Sequence, residues 1–246
     1  MAITMATRTA TMMATRKASI LRPTIRIMTK ENLMNNSLTE IIFILDRSGS
    51  MQTLTDDTIG GFNSFIEKQK KEPGDAILTT VLFDDQYEVL HDGVNLKDVK
   101  PLTREAYYAR GMTAMMDAIG RTINTVDARI QKTPEQYRPG KVIFVITTDG
   151  YENASMEFNR ARVKEMIQRQ TAKYDWQFLF LGANMDAVSE AGTFGVCAAQ
   201  SVTYAANSVG TKAVYDSLNS TISNYRSTGT IDASWKADIE ATTSQI

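Results

Sequence analysis

Two unbroken apolar runs, Ile-Ile-Phe-Ile-Leu at residues 41–45 and Val-Ile-Phe-Val-Ile at residues 142–146, constrain this chain most. Short runs rich in β-branched and aromatic side chains, with no polar alternation, describe strands buried on both faces. Such strands need cover on both sides, and the intervening sequence supplies it as amphipathic helix. Ile59, Phe62 and Ile66 form one stripe; Met116, Ile119, Ile123, Val126 and Ile130, spaced by three and four, form a longer one. Pro134 and Pro139-Gly140 end that second helix. Further helices are expected around Val163, Met166 and Ile167, at residues 185–191, and over Val214, Leu218, Ile222 and Tyr225, with strands at 176–181 and 201–204. Residues 76–83 and 87–90 flank Asp84-Asp85-Gln86 and read as a hairpin. The fold class that follows is α/β: a doubly wound, mostly parallel sheet with one antiparallel edge strand and helices on both faces.

The ends fall outside this pattern. Residues 1–38 read as a basic leader, with Arg8, Arg16, Lys17, Arg22, Arg26 and Lys30 and no acid before residue 31. Its composition resembles an organellar transit peptide and lacks a secretory apolar core. The plainer expectation is a disordered leader, or a start assigned too early with Met34 as the alternative. Residues 39–226 are expected to form the domain and 227–246 a polar tail. No stretch approaches the roughly 18 consecutive apolar residues of a membrane span, so a soluble, cytoplasmic protein without a membrane partner is expected. A formal net charge of -1 offers nucleic acid no long-range field.

The chemistry concentrates at strand ends. Asp46-Arg47-Ser48-Gly49-Ser50 follows the first buried run, and Thr148-Asp149-Gly150 follows the later one. In sheets of this class ligands bind beyond the carboxyl ends of the strands. Asp46, Ser48 and Ser50 alternate, so a turning loop can aim three oxygens at one point, and Gly111-Met112-Thr113 adds a hydroxyl before the strongest helix. With one histidine (His91) and one cysteine (Cys197), a metal bound here must be held by oxygen. Such a hard set suits Mg²⁺ or Mn²⁺. Asp84-Asp85 and Asp56-Asp57 read as turn and helix-start residues, His91 as solvent-facing, Cys197 as a small buried residue.

Asp46, Ser48, Ser50, Thr113 and Asp149, in this order and context, resemble the metal-ion-dependent adhesion site of von Willebrand factor A domains. The resemblance covers roughly residues 40–225. It implies that both serines bind one divalent cation directly, the aspartates directly or through water, and Thr113 mainly when a ligand is present. A carboxylate from an Asp or Glu of another protein then completes the octahedron. Intracellular members of the family often act as adaptors beside AAA+ ATPases or in stress-response complexes, which sets the expected partners. Arg47, Met51, Met112, Tyr151, Glu152 and Asn153 surround the expected ion as candidates for partner specificity.

The competing reading is a Mg²⁺-dependent phosphohydrolase using Asp46 as nucleophile. Position 48 is Ser where that chemistry needs a second acid, and no phosphate-binding Lys is placed for it. No phosphate-binding glycine loop or nucleophile elbow occurs either. A binding module, not an enzyme, is the expectation.

Overall fold

The computed structural model of the chain describes residues 35–243. Its sheet has the strand order β3-β2-β1-β4-β5-β6. The strands are β1 (Asn35–Asp46), β2 (Asp75–Phe83), β3 (Tyr87–Asn95), β4 (Pro139–Thr148), β5 (Gln177–Ala183) and β6 (Ser201–Tyr204). Every pairing is parallel except β2 with β3, so the hairpin supplies the antiparallel edge and the expected fold class holds. The helices are α1 (Thr55–Gln69), α2 (Met115–Lys132), α3 (Arg160–Tyr174), α4 (Ala187–Thr193), α5 (Ser208–Thr228) and α6 (Ala237–Thr243).

The pleat sorts the apolar run of β1 between two cores. Ile41, Phe43 and Leu45 join side chains of α1, α5 and α6; Ile42 and Ile44 join those of α2, α3 and α4. Phe43 meets Phe62 and Phe65 edge-on at 5.3 and 5.1 Å, and Phe144 stacks on Phe178 at 4.7 Å. Strand order reverses between β1 and β4, which lie side by side. The residues that follow their carboxyl ends therefore face each other at the switch point, where a ligand has access.

Three expectations change. The segment from residue 227 is not a polar tail: α5 runs to Thr228, and Trp235 and Ile239 are buried in the core shared with α1 and α5. Trp235 sits in the turn just before α6 and Ile239 within the helix. Cys197 is exposed, because it caps a 3-10 turn while its neighbour Val196 occupies the core position. His91 lies within β3 and is partly buried, since the edge strand extends to Asn95 and a following loop covers it. Residues 1–34 of the basic leader lie outside the described residues, and β1 already begins at Asn35, inside the stretch assigned to that leader. Among the described residues no helix is long and apolar enough to cross a membrane.

Candidate metal centre

Asp46 ends β1 and is 0% exposed. Its Oδ1 accepts the backbone N–H of Ser48 at 2.6 Å, an Asx-type turn that bends the chain as the strand ends. Its Oδ2 accepts the Thr148 hydroxyl from β4 at 2.5 Å, and its carbonyl accepts the Tyr107 hydroxyl at 2.5 Å. The chain then enters a 3-10 turn, Gly49–Leu54, which carries Ser50 toward β4. Ser48 Oγ and Ser50 Oγ lie 3.2 Å apart, and Ser50 Oγ donates to Asp149 Oδ1 at 2.6 Å. A Cβ placed on Gly150 would stand 3.3 Å from Thr113 Oγ1 and 3.8 Å from Ser50 Oγ. Gly150 therefore marks where three loops meet, and Asp46, Ser48, Ser50, Thr113 and Asp149 come together around it.

The electrostatics follow from burial. Removal from water pushes the Asp46 carboxyl up to about 7, with nearby Asp149 adding to the rise. Asp149 is raised by partial burial too, against the Ser50 hydrogen bond. Among the described residues neither carboxylate is paired with a basic side chain. The two arginines of the adjoining loops, Arg47 and Arg110, both turn to Asp84 instead. A buried carboxylate without a cation is unfavourable, so the cluster fits a positive ion that no side chain supplies. Its donors, two carboxylates and three hydroxyls, are hard oxygens suited to Mg²⁺ or Mn²⁺. Among the described residues no group of three or more His, Cys, Asp and Glu is placed to hold a metal. Hydroxyls must therefore complete any donor set here.

The rim differs from the expectation. Arg47 and Met51 are each 1% exposed and point into the protein. Glu152 accepts the backbone N–H groups of Met116, Ala154 and Ser155, which ties its own loop to the amino end of α2. Asn153 holds the main chain of Thr113 from both sides: its Oδ1 accepts Thr113 N–H at 2.9 Å, and its own N–H donates to Thr113 O at 3.1 Å. Met112 and Tyr151 remain at the surface, 56% and 53% exposed. Thr148 and Tyr107 bond to Asp46 directly, and Asp84 bonds to the arginines of the adjoining loops, although sequence reasoning assigned none of the three a part here. Thr148 alone carried a signal, as a polar residue at the end of a buried strand beside Asp149.

No family profile matches the chain, and no curated protein sequence does. Several solved structures share its fold. The vWF domain of the type V pili tip protein Mfa5 from Porphyromonas gingivalis aligns with a TM-score of 0.56 and 12% identity over 79% of this chain and 98% of that one. Proximal thread matrix protein 1 from the mussel byssus, in a structure with a zinc-occupied MIDAS motif, aligns with a TM-score of 0.54 and 13% identity over 78% of this chain. The von Willebrand factor type A protein from Catenulispora acidiphila aligns with a TM-score of 0.52 and 16% identity over 76%. The matched region spans only 47% and 42% of those two larger chains. At these identities the likeness concerns the fold, and the fold is that of a von Willebrand factor A domain.

Proposed function

We propose that the chain is a metal-dependent protein-binding module, and that Asp46, Ser48, Ser50, Thr113 and Asp149 hold one divalent cation, Mg²⁺ or Mn²⁺. The observation that carries this reading is the convergence of two carboxylates without a basic partner and three hydroxyls at the switch point of the sheet. A zinc-occupied site in the mussel protein of the same fold supports it. When bound, the cation supplies a partly unneutralised positive charge to an Asp or Glu carboxylate of a partner. The chain's own residues fix the donors and surround the entrance with Met112 and Tyr151. The phosphohydrolase alternative gains nothing from the geometry. Asp46 is fully buried with both carboxylate oxygens engaged, a poor state for a nucleophile.

The test has two arms. Thermal unfolding is followed with Mg²⁺ and Mn²⁺ at rising concentration, for the wild type and Asp149→Ala. A ligand that binds only the folded state raises the midpoint in proportion to RT ln(1 + [L]/Kd), so the wild type rises and the variant does not. A displayed peptide library is then selected on the Mn²⁺-loaded protein. The enriched peptides carry an Asp or Glu whose amide replacement abolishes binding, as chelator does. Peptides that bind equally in chelator would remove the metal from the binding mechanism.

A further inference from the structure

Asp84 follows β2, outside the five-residue cluster, and is 0% exposed. Its Oδ2 accepts Arg47 Nε at 3.1 Å and Arg110 Nε at 2.6 Å; its Oδ1 accepts the Gln86 N–H at 2.6 Å; its carbonyl accepts the Ala114 N–H at 2.9 Å. Arg47 stands between Asp46 and Ser48, while Arg110 and Ala114 bracket Thr113. One carboxylate thus grips both the loop that carries the serines and the loop that carries the threonine. Two backbone bonds run alongside, Arg110 N–H to Arg47 O at 2.8 Å and Gly49 N–H to Gly111 O at 3.2 Å. Gly111, at φ +66°, passes so close to the β2–β3 turn that a Cβ there would overlap Asp85 Oδ1 at 1.9 Å.

The buried charges of this knot are largely paired, with Asp85 left at the exposed turn. Arg47 also pairs with Glu88 at 2.7 Å, so two guanidinium groups face two carboxylates and leave little net field at the cluster. Stability does not account for it well either. Arg47 is 1% exposed, its Nη2 has no hydrogen-bond partner, and buried ion pairs commonly fail to recover their desolvation cost. What remains is geometry: the spacing of two loops whose hydroxyls must meet one point.

We propose that Asp84, clamped by Arg47 and Arg110, is a positioning residue that sets the distance between the Ser48/Ser50 loop and the Thr113 loop, and through it the affinity for the cation. This rests on the metal reading above for its consequence, and on the hydrogen bonds alone for its mechanism. Asn153 does the corresponding work between the Thr113 and Asp149 loops.

The experiment compares Arg47→Met and Arg110→Met with Arg162→Met, which removes the same charge from a surface pair with Glu165 on α3. Amide hydrogen exchange is read in the metal-free protein, and Mn²⁺ affinity by the electron paramagnetic resonance signal of free Mn²⁺. Both clamp variants should speed exchange at residues 49, 110 and 114 while leaving Ile42 and Ile44 of β1 unchanged. They should also weaken Mn²⁺ binding about tenfold, the scale seen when an outer partner of a metal ligand is lost; Arg162→Met should do neither. Exchange and affinity equal to those of Arg162→Met would overturn the proposal. So would faster exchange throughout β1, which would make the clamp a general structural support. If the wild type binds no Mn²⁺, the metal reading fails separately, and the exchange data alone decide whether Asp84 couples the loops.

Discussion

Asp46 places a carboxylate where water does not reach, with the Ser48 amide and the Thr148 hydroxyl as its donors and no cation facing it. At pH 8, above the value of about 7 to which burial pushes it, that charge is a liability of the metal-free fold. Asp46→Asn keeps the shape and removes the charge. In chelator its thermal stability should equal or exceed that of the wild type, by on the order of 1 kcal/mol, while its response to Mn²⁺ disappears. Calorimetry with and without chelator checks both, and a clearly lower chelated midpoint would show that the carboxylate itself stabilises the empty site. His91 makes the second residue-scale case. Its Nδ1 is buried without a partner, and desolvation holds its pKa below 6.5; Asp98 and Lys100 line the same recess. The native state thus binds its proton less readily than the unfolded chain, so stability is lost as pH falls below 6.5 toward the depressed value. As the only histidine, its ring protons can be titrated by NMR without ambiguity. The midpoint should lie below 6.5, and His91→Gln should flatten that part of the acid slope; a midpoint at or above 6.5 contradicts the burial argument. At this scale the sequence could single out the five candidate residues, which the fold brings together, because their order and strand context form a local pattern. Tyr107 and Asp84 were not legible, since their roles arise from contacts made across 61 and 37 residues, and Thr148 showed only its place at a strand end, not its bond to Asp46 across 102 residues.

At the level of elements, α1 links the serine loop to α5. It begins where the 3-10 turn that holds Ser50 ends, and it packs on α5 through Phe62, Phe65 and Ile66. Its two glycines face opposite environments. A Cβ on Gly60 would meet nothing within 4 Å, whereas one on Gly61 would lie 2.1 Å from the Tyr215 ring of α5. Gly60→Ala should therefore stabilise the protein by up to about 1 kcal/mol, the ordinary helix-interior gain. Gly61→Ala should lose about 1–3 kcal/mol to overpacking despite the same gain. Urea midpoints separate the two; equal shifts would mean that the helices can part without cost. The long helices were legible because Met116, Ile119, Ile123, Val126 and Ile130 repeat at the helical period and are all buried against the sheet. Gly61 was not, because a close approach between helices leaves no periodic trace on either one.

Across the whole molecule, the sheet is covered on one face by α1, α5 and α6 together, so the far C-terminal helix completes a layer that the sequence pattern appeared to close at Tyr225. Composition hid it: polar residues dominate the segment, and its apolar members Ile231, Trp235 and Ile239 stand four apart in so short a stretch that they read as isolated. Ile239 is nevertheless 0% exposed, and Trp235 is fixed at its Nε1 by the carbonyl of Ala199 at 2.8 Å and at its own carbonyl by the Ser217 hydroxyl. These bonds tie the turn that leads into α6 both to the turn before β6 and to the middle of α5, the helix that packs on α1 next to the serine loop. Ile239→Ala should consequently cost about 2–5 kcal/mol, the range for emptying a core position. A chain shortened after Arg226 should lose more than that, because it also uncovers the parts of β6 and α5 against which α6 packs. Urea denaturation followed by tryptophan fluorescence measures the first and circular dichroism the second. A shortened chain with the wild-type midpoint would restore the polar-tail reading, whereas the expected loss makes residues 227–243 part of the domain.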